Sequence, residues 1–149
     1  MIKVEFTAKR NLTGTHAVGD SVELTFSAQE PLTPSRKASR TVQTSLSGAR
    51  ETVYNHGLWS FDITTEPVRG ATLETLIEFL MSVESGESFT FYPWEVPGGN
   101  PSPLPARWVD APLNCQLDSE TFSLELLASQ GTGGYDDWYV AQFTVIETP

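Results

Sequence analysis

The chain is 149 residues long, is 39% hydrophobic and carries a formal net charge of −10. This length and apolar content predict one folded domain over residues 1–149, with a sizeable core, rather than a disordered chain. The negative charge argues against nonspecific binding to nucleic acid or to an anionic membrane, because both require a surplus of Lys and Arg.

The charge is distributed unevenly along the chain. Residues 1–50 contain seven basic and four acidic side chains, whereas residues 51–149 contain two basic and fifteen acidic ones. Surfaces of opposite sign suit head-to-tail contacts between identical copies, and such contacts can close into rings. The alternative for any single charge is an ordinary solvated surface.

No segment marks export or membrane insertion. Residues 1–10 alternate between apolar and polar positions instead of forming the apolar core of a signal peptide, and no apolar run approaches the ~20 residues that span a bilayer. The single cysteine, Cys115, excludes an internal disulfide, and its neighbours Leu113 and Leu117 favour a small buried residue over a nucleophile. Synthesis in a reducing cytoplasm is the simplest setting.

Period-two alternation predicts two strands at the beginning of the chain. Their apolar positions are Ile2, Val4 and Phe6 in the first strand and Val22, Leu24 and Phe26 in the second. Gly14 and Gly19 predict that residues 11–20 form a connecting loop. Pro31 and Pro34 predict an interruption of the sheet over residues 29–35.

A turn at Ser47 and Gly48 separates predicted strands at residues 41–46 and 51–54. A second turn is predicted at residues 55–57. The strand that follows is predicted to be central, because three bulky apolar residues share one of its faces: Trp59, Phe61 and Ile63.

The period changes to helical between residues 70 and 84. Four apolar residues recur three or four positions apart, namely Leu73, Leu76, Leu80 and Val83. Glu74 and Glu78 are predicted on the opposite, exposed side, and Gly86 is predicted to end the helix. The apolar side is expected to pack against a sheet.

Phe89 and Phe91 predict the next strand, which is followed by a long proline-rich loop at residues 93–112. Long loops of this kind are usually functional or disordered. The loop also contains Trp94, Leu104 and Trp108, so two interpretations are open: these side chains cover the core of the domain, or they dock on a partner.

Two further strands are predicted at residues 114–116 and 121–127, joined by a turn at Asp118 and Ser119. Their core-facing residues are expected to be Phe122, Leu124 and Leu126. Residues 130–137 contain three glycines and predict a mobile hairpin tip. The closing strand is predicted from alternating apolar residues, namely Tyr139, Ala141, Phe143 and Val145.

The histidines do not form a recognisable catalytic or metal-binding set, and no cofactor is expected. His16 and His56 lie 40 positions apart in predicted loops. A zinc site needs three or four ligands, usually with a close pair. Both residues are therefore interpreted as surface histidines.

The carboxylates give no stronger signal. Glycosidases use two carboxylates, but the pairs in this sequence, Asp62 with Glu66 and Glu74 with Glu78, are expected by chance on an acidic chain. Asp136 and Asp137 lack the spacing of an EF-hand loop. The sequence therefore predicts a protein that is not an enzyme.

Residues 45–94 combine a β-hairpin, a helix with the sequence LETLIEFLMSV, the glycine Gly86 and an aromatic strand with the sequence FTFYP. In this order the elements resemble the distal tail proteins and related minor tail proteins of long-tailed bacteriophages. The resemblance covers the middle third of the chain well and residues 121–145 loosely. It implies the sandwich-plus-helix plan of phage tail-tube proteins.

The resemblance also implies a structural virion protein of the tail tip, synthesised in the host cytoplasm. Copies are expected to form a homo-oligomeric ring, typically a hexamer, that joins the tail tube protein to the tail hub protein and fibres. DNA would pass through an acidic lumen without specific binding, and no membrane contact is implied.

Two departures from the family pattern limit what the resemblance implies. The chain lacks the large C-terminal domain that some distal tail proteins carry, so carbohydrate binding is not implied. Residues 1–34 do not match the usual opening of the family, which leaves a tail tube protein or a tail-completion protein as alternatives.

The predicted fold is therefore mainly β, a β-sandwich or partly closed barrel flanked by one helix at residues 70–84. Assembly surfaces are expected around residues 31–40, 47–50 and 97–108, because loops tolerate the geometry that a neighbour imposes. The candidate interface residues are Arg36, Lys37, Arg40, Arg50, Trp94, Leu104, Arg107 and Trp108.

A functional alternative from another class is a small β-sandwich module that binds a carbohydrate or another ligand. Its binding platform would consist of the aromatic residues Trp94, Trp108, Tyr135 and Trp138, which lie in or beside loops rich in glycine and proline.

Overall fold

A computed structural model of the protein describes residues 2–9, 16–29, 34–93, 112–118, 122–128 and 134–148. These residues form mostly β-strands, with one α-helix and a short 3-10 turn at Gly134–Asp136. In chain order the elements are β1 (Ile2–Thr7), β2 (Ser21–Phe26), β3 (Pro34–Thr44), β4 (Arg50–Thr64), α1 (Gly70–Val83), β5 (Phe89–Tyr92), β6 (Leu113–Leu117), β7 (Ser123–Ala128) and β8 (Trp138–Glu147). The predicted class, mainly β with one flanking helix, is confirmed.

The strands form one antiparallel sheet in the order β2-β1-β5-β6-β8-β4-β3, and β7 also pairs with β8. β6 and β7 follow one another along the same edge of β8, where Leu117 lies opposite Val145 and Ser123 lies opposite Gln142. The other edge of β8 pairs with β4. Thus β8, the last strand in the chain, connects three other strands.

The sheet is strongly curled but is not closed into a barrel. Strands β2 and β8 are four positions apart in the sheet, which would separate them by roughly 19 Å if the sheet were flat. The ring centroids of Phe26 in β2 and Phe143 in β8 are only 6.1 Å apart. Within the described residues, β2 and β4 meet just beyond their ends, at an isolated bridge between Ala28 and Thr65.

The core lies inside this curl and follows the alternation of the strands. All six apolar residues predicted to be buried in the first two strands are buried, as are Phe61, Ile63, Phe89 and Phe91. Cys115 is also fully buried, which confirms the prediction of a structural cysteine. These side chains form one continuous apolar cluster with the inner side of the helix.

Helix α1 contributes the aromatic centre of the core. Phe79 is fully buried and its ring contacts three phenylalanines, Phe6 at 5.2 Å, Phe89 at 4.9 Å and Phe143 at 6.1 Å between centroids. The four residues of the predicted apolar stripe are buried as well. The chain leaves the helix through Gly86, whose positive φ of 96° suits glycine.

The turn predicted at residues 55–57 is wrong, because β4 runs without interruption from Arg50 to Thr64. The interruption predicted over residues 29–35 ends earlier than expected, since Pro34 and Ser35 belong to β3. Gln29 lies outside any strand, and residues 30–33 are outside the described residues. The register shifts once, because Ser39 pairs with His56 whereas Arg40 pairs with Tyr54, which leaves Asn55 as an extra residue. The turn signal at residues 55–57 is therefore a β-bulge.

The C-terminal strands also differ from the prediction. β6 and β7 do not form a hairpin with each other in the described part of the chain, since each pairs with β8. Leu126 was expected in the core, but 51% of it is exposed. Within residues 130–137, predicted as a mobile tip, Gly134–Asp136 form a 3-10 turn and Asp137 is buried; the mobility of this segment stays a prediction.

Candidate assembly interface

β3 and β4 extend beyond the rest of the sheet as a two-stranded arm, defined here as residues 36–59. β4 pairs with β8 only from Ser60 to Thr64, whereas its pairing with β3 continues out to the pair Thr44–Arg50. At about 3.3 Å per residue, the arm is roughly 30 Å long. The remainder of the chain is called the body.

A tight turn closes the tip of the arm. The Ser45 N–H donates to the carbonyl oxygen of Ala49 at 2.8 Å, and the Gly48 N–H donates to that of Ser45 at 2.9 Å. Gly48 has a positive φ of 85°, a conformation that glycine adopts without steric cost. Leu46 at this tip is fully exposed.

The arm carries most of the predicted cationic interface residues. Arg36 and Arg40 lie on the same face of β3, and Arg50 begins β4; all three are exposed. The guanidinium carbon of Arg36 lies 5.2 Å from the centroid of the Trp59 ring. This cation therefore packs on an aromatic ring at the end of the arm nearest the body. Lys37 belongs to β3, but its side chain is outside the described residues.

The other four predicted interface residues, Trp94, Leu104, Arg107 and Trp108, lie outside the described residues. The two interpretations of the loop that contains them therefore stay predictions. The structure places the three arginines at intervals along one two-stranded arm, whereas the sequence prediction assigned them to two separate loop segments. Long strands rather than loops carry them.

The arm and the body have opposite net charges. Residues 36–59 contain four basic side chains and one acidic side chain, a net charge of +3, and the rest of the chain has a net charge of −13. The sequence prediction of a basic N-terminal third is thus sharpened to a basic arm. Such a separation of charge favours contacts between the arm of one copy and the body of another.

The described part of the aromatic platform is packed into the body. Tyr135 is half-buried and packs against the core cluster. Trp138 is also half-buried, and the guanidinium carbon of Arg69 lies 4.8 Å from the centroid of its ring. Neither ring is a fully exposed flat face of the kind that a carbohydrate platform requires.

A contact between a histidine and a buried glutamate is the feature that the sequence prediction missed. Glu78 was placed on the exposed side of the helix, but its side chain is 0% exposed, and its Oε1 atom lies 3.2 Å from Nδ1 of His16. The two atoms are within ion-pair distance but lack the geometry of a hydrogen bond. His16 is 26% exposed, so it is not the surface histidine that was predicted. No sequence signal links residues 62 positions apart.

Within the described residues, no group of three His, Cys, Asp or Glu side chains could hold a metal ion. Asp62 accepts a hydrogen bond from the Thr144 hydroxyl at 2.8 Å on the sheet surface. Burial, with a smaller contribution from the charge of Glu147, raises the pKa of the Cys115 thiol to about 12. This thiol is therefore protonated and unreactive at neutral pH.

A second polar cluster lies on the outer face of β1. Lys3 contacts Glu5 at 3.3 Å and Glu23 at 3.7 Å, and the Tyr92 hydroxyl donates to Glu5 at 3.3 Å. Burial and the neighbouring Glu5 carboxylate raise the pKa of Tyr92. The cluster ties three neighbouring strands together at the surface.

No helix among the described residues is long and apolar enough to cross a membrane.

Comparison with known proteins gives a partial likeness in shape. No family model matches the sequence, and no curated protein matches it. A solved structure to which the chain is similar is described as the tail of an empty GTA particle, computed with helical refinement and C6 symmetry. The match covers 99% of this chain and 91% of that chain at 15% identity, with a TM-score of 0.43. A likeness of this degree does not assign a family or a role.

Proposed function

We propose that this protein is a structural subunit of a phage-like tail, in which copies join head to tail into a ring. The resemblance of residues 45–94 to distal tail proteins suggests the tail tip as its place and a hexamer as its ring. The tail tube and tail hub proteins would be its neighbours. The role is non-enzymatic, and the protein would be found in the virion.

The observation that carries the proposal is the basic arm. An isolated two-stranded hairpin is marginally stable in water, and the outward-facing backbone groups of such a hairpin are open to further pairing. Residues 40–52 of the arm are all exposed. A neighbouring subunit would bury the arm, pair its polar groups and neutralise its cations.

Opposite charges on arm and body fit a head-to-tail contact. If the arm of each copy binds the body of the next, the contact uses two different surfaces and can repeat around a closed ring. Arm–arm contacts between copies would instead bring together like charges, which is unfavourable. The charge distribution therefore favours a ring over a symmetric dimer.

The acidic body also suits a channel for DNA. With a net charge of −13 outside the arm, a ring whose inner wall belongs to the body would repel the phosphate backbone and let DNA slide. A high-resolution reconstruction of the ring tests this part of the proposal. An inner wall lined with Lys or Arg would overturn it.

The assembly proposal is tested by electron microscopy and light scattering of the purified protein over a range of concentrations. Wild-type protein is expected to form rings. The arm variant Arg40→Glu/Arg50→Glu is expected to require at least a tenfold higher concentration for half-assembly, because it reverses two exposed cations. Arg36 is left unchanged in this variant because it also packs on Trp59.

Two control variants separate arm-specific effects from general charge effects. Arg40→Lys/Arg50→Lys keeps the charge and should assemble. Lys9→Glu adds negative charge at an exposed position off the arm and should also assemble. A wild-type protein that stays monomeric at high concentration, or an arm variant that assembles like wild type, would contradict the proposal. Tubes instead of rings would favour the tail tube alternative.

A further inference from the structure

We infer that the exposed edge of β7 is the surface that receives the arm of the neighbouring copy. This inference rests on the proposed self-assembly and names the partner surface that the arm requires. It joins two parts of the molecule that the sequence did not connect.

β7 is an edge strand with an unusual apolar surface. In the described residues it pairs on one side only, with β8. Successive residues of a strand point to opposite faces, so one of two neighbouring leucines is normally buried. Leu126 and Leu127 are nevertheless 51% and 50% exposed, and the register with β8 shifts between Leu126 and Ala128, which leaves Leu127 as an extra residue.

The exposed large apolar residues are concentrated on the two surfaces that the inference joins. In the described part of the chain they are Val18, Val42, Leu46, Leu126 and Leu127. Two of the five belong to the arm and two to β7, whereas Val18 lies in the turn before β2. Burying half-exposed leucines against an apolar partner is favourable at about 25 cal/mol per Å².

The charges of the two surfaces are complementary. Glu125 of β7 is exposed beside the two leucines, and Asp136 is exposed in the 3-10 turn that precedes β8. The arm presents Val42 and Arg40 on one face of β3, with Arg50 beside the turn at its tip. An apolar contact flanked by opposite charges fixes both the partner and its register.

The positions of the two surfaces require that they meet between copies. β4 pairs with residues 142–146 of β8, and the arm continues beyond the pair Ser60–Ile146, past the C-terminal end of β8. β7 pairs with residues 138–142, at the opposite end of β8. The arm therefore points away from the β7 edge of its own copy. Contacts between opposite ends of identical subunits are heterologous and propagate.

Mixing two assembly-defective variants tests this arrangement. The edge variant is Leu126→Ser/Leu127→Ser, and its partner is the arm variant Arg40→Glu/Arg50→Glu. Each is expected to be monomeric alone at concentrations where wild type assembles. A mixture retains one intact arm and one intact edge per pair, so light scattering should show a 1:1 dimer and no rings.

Each other outcome has a distinct meaning. If only the arm variant is defective, or if the mixture stays monomeric, the arm binds somewhere other than β7 and the inference is wrong while the proposed function stands. If neither variant alters assembly, the proposed function fails as well. Val18→Ser is the matched control, because it removes an apolar side chain that is 64% exposed and lies off both surfaces.

Disulfide trapping provides a second measurement that does not depend on disrupting the fold. Val42→Cys and Leu127→Cys proteins, mixed and oxidised mildly, are expected to form a crosslinked heterodimer in preference to either homodimer. The native Cys115 is buried and does not compete. Crosslinks that form equally in all three combinations would contradict the proposed contact.

Discussion

The arm and the body both consist of antiparallel strands, yet they differ in what stabilises them. In the body, the sheet curls around phenylalanine rings and the helix closes the apolar cluster. In the arm, the two strands contact each other, and residues 40–52 are exposed on both faces. The body therefore contains the apolar core, whereas an isolated two-stranded arm is only marginally stable without a partner.

The largest expected effect is the loss of an aromatic side chain from the centre of the body. Phe79→Ala should lower the free energy of unfolding by about 3–5 kcal/mol, because it removes a fully buried ring and leaves a cavity. Val42→Ala on the arm should change it by less than about 0.5 kcal/mol. Urea denaturation followed by circular dichroism measures both changes. Similar losses of unfolding free energy at the two sites would contradict the distinction between a packed body and an exposed arm.

Thiol labelling is expected to distinguish the arm from the body by rate. At pH 8 the Val42→Cys protein is expected to label once rapidly on the arm and once at least a hundredfold more slowly at Cys115, whose pKa burial raises to about 12. In denaturant both thiols should react alike. Rapid labelling of Cys115 in the folded protein would show that the body opens easily.

Burial of Cys115 also predicts how the free energy of unfolding changes at alkaline pH. The pKa of Cys115 in the folded state lies above its ordinary value of 9.0. Below about pH 9 the thiol is protonated in both states, and its contribution to the stability of the folded state is then complete. That contribution is lost as the pH rises from 9 towards 12. In Cys115→Ala, the unfolding free energy should therefore fall less steeply over this range.

The contact between His16 and Glu78 predicts a smaller effect within the body. His16→Ala should lower the free energy of unfolding by about 1–3 kcal/mol, because it removes the imidazole that lies 3.2 Å from the fully buried Glu78 side chain. Glu78→Leu replaces the carboxylate with an apolar side chain and should be neutral or stabilising. Equal stability losses in the two variants would show that the contact does not stabilise the fold as a pair.

Alanine substitutions at two glycines, one in the body and one in the arm, are expected to give the smallest difference in stability. Gly86 in the body and Gly48 in the arm have φ angles of 96° and 85°, and an added Cβ would meet nothing within 4 Å at either position. Backbone strain alone should make Gly86→Ala cost about 1 kcal/mol in global stability. Gly48→Ala should cost the body almost nothing and weaken assembly instead. A loss of global stability at Gly48 would mean that the arm folds as part of the core.

The sequence predicted best the elements whose pattern is local. Alternation placed β1 and β2, and the three-or-four spacing placed α1 within one residue of its observed C-terminal end. Strands β3 and β4 were predicted as fragments, because Pro34 and the residues around Asn55 are turn signals by composition. Pro34 begins a strand at the sheet edge, where its missing N–H costs nothing, and Asn55 forms a bulge.

What the sequence could not predict depends on contacts between distant segments. Glu78 has the polarity of an exposed residue, and only the position of His16 against the helix explains its burial. Leu126 fits a core pattern, but it lies in a strand that pairs on one side only in the described residues, and 51% of it is exposed. The arginines were predicted as interface residues because they lie in segments predicted to be loops. The arm that carries them depends on pairing between β3 and β4, which no local pattern indicates.

Hydrogen exchange of the arm amides, in dispersed and assembled wild-type protein, tests the central claim most directly. Dilution should give the dispersed state, in which amides of residues 36–44 exchange rapidly while those of β8 stay protected. In the assembled state the arm amides should slow by at least tenfold, with little change in β8. Arm amides that are equally protected in both states would contradict a role for the arm in joining one copy to the next.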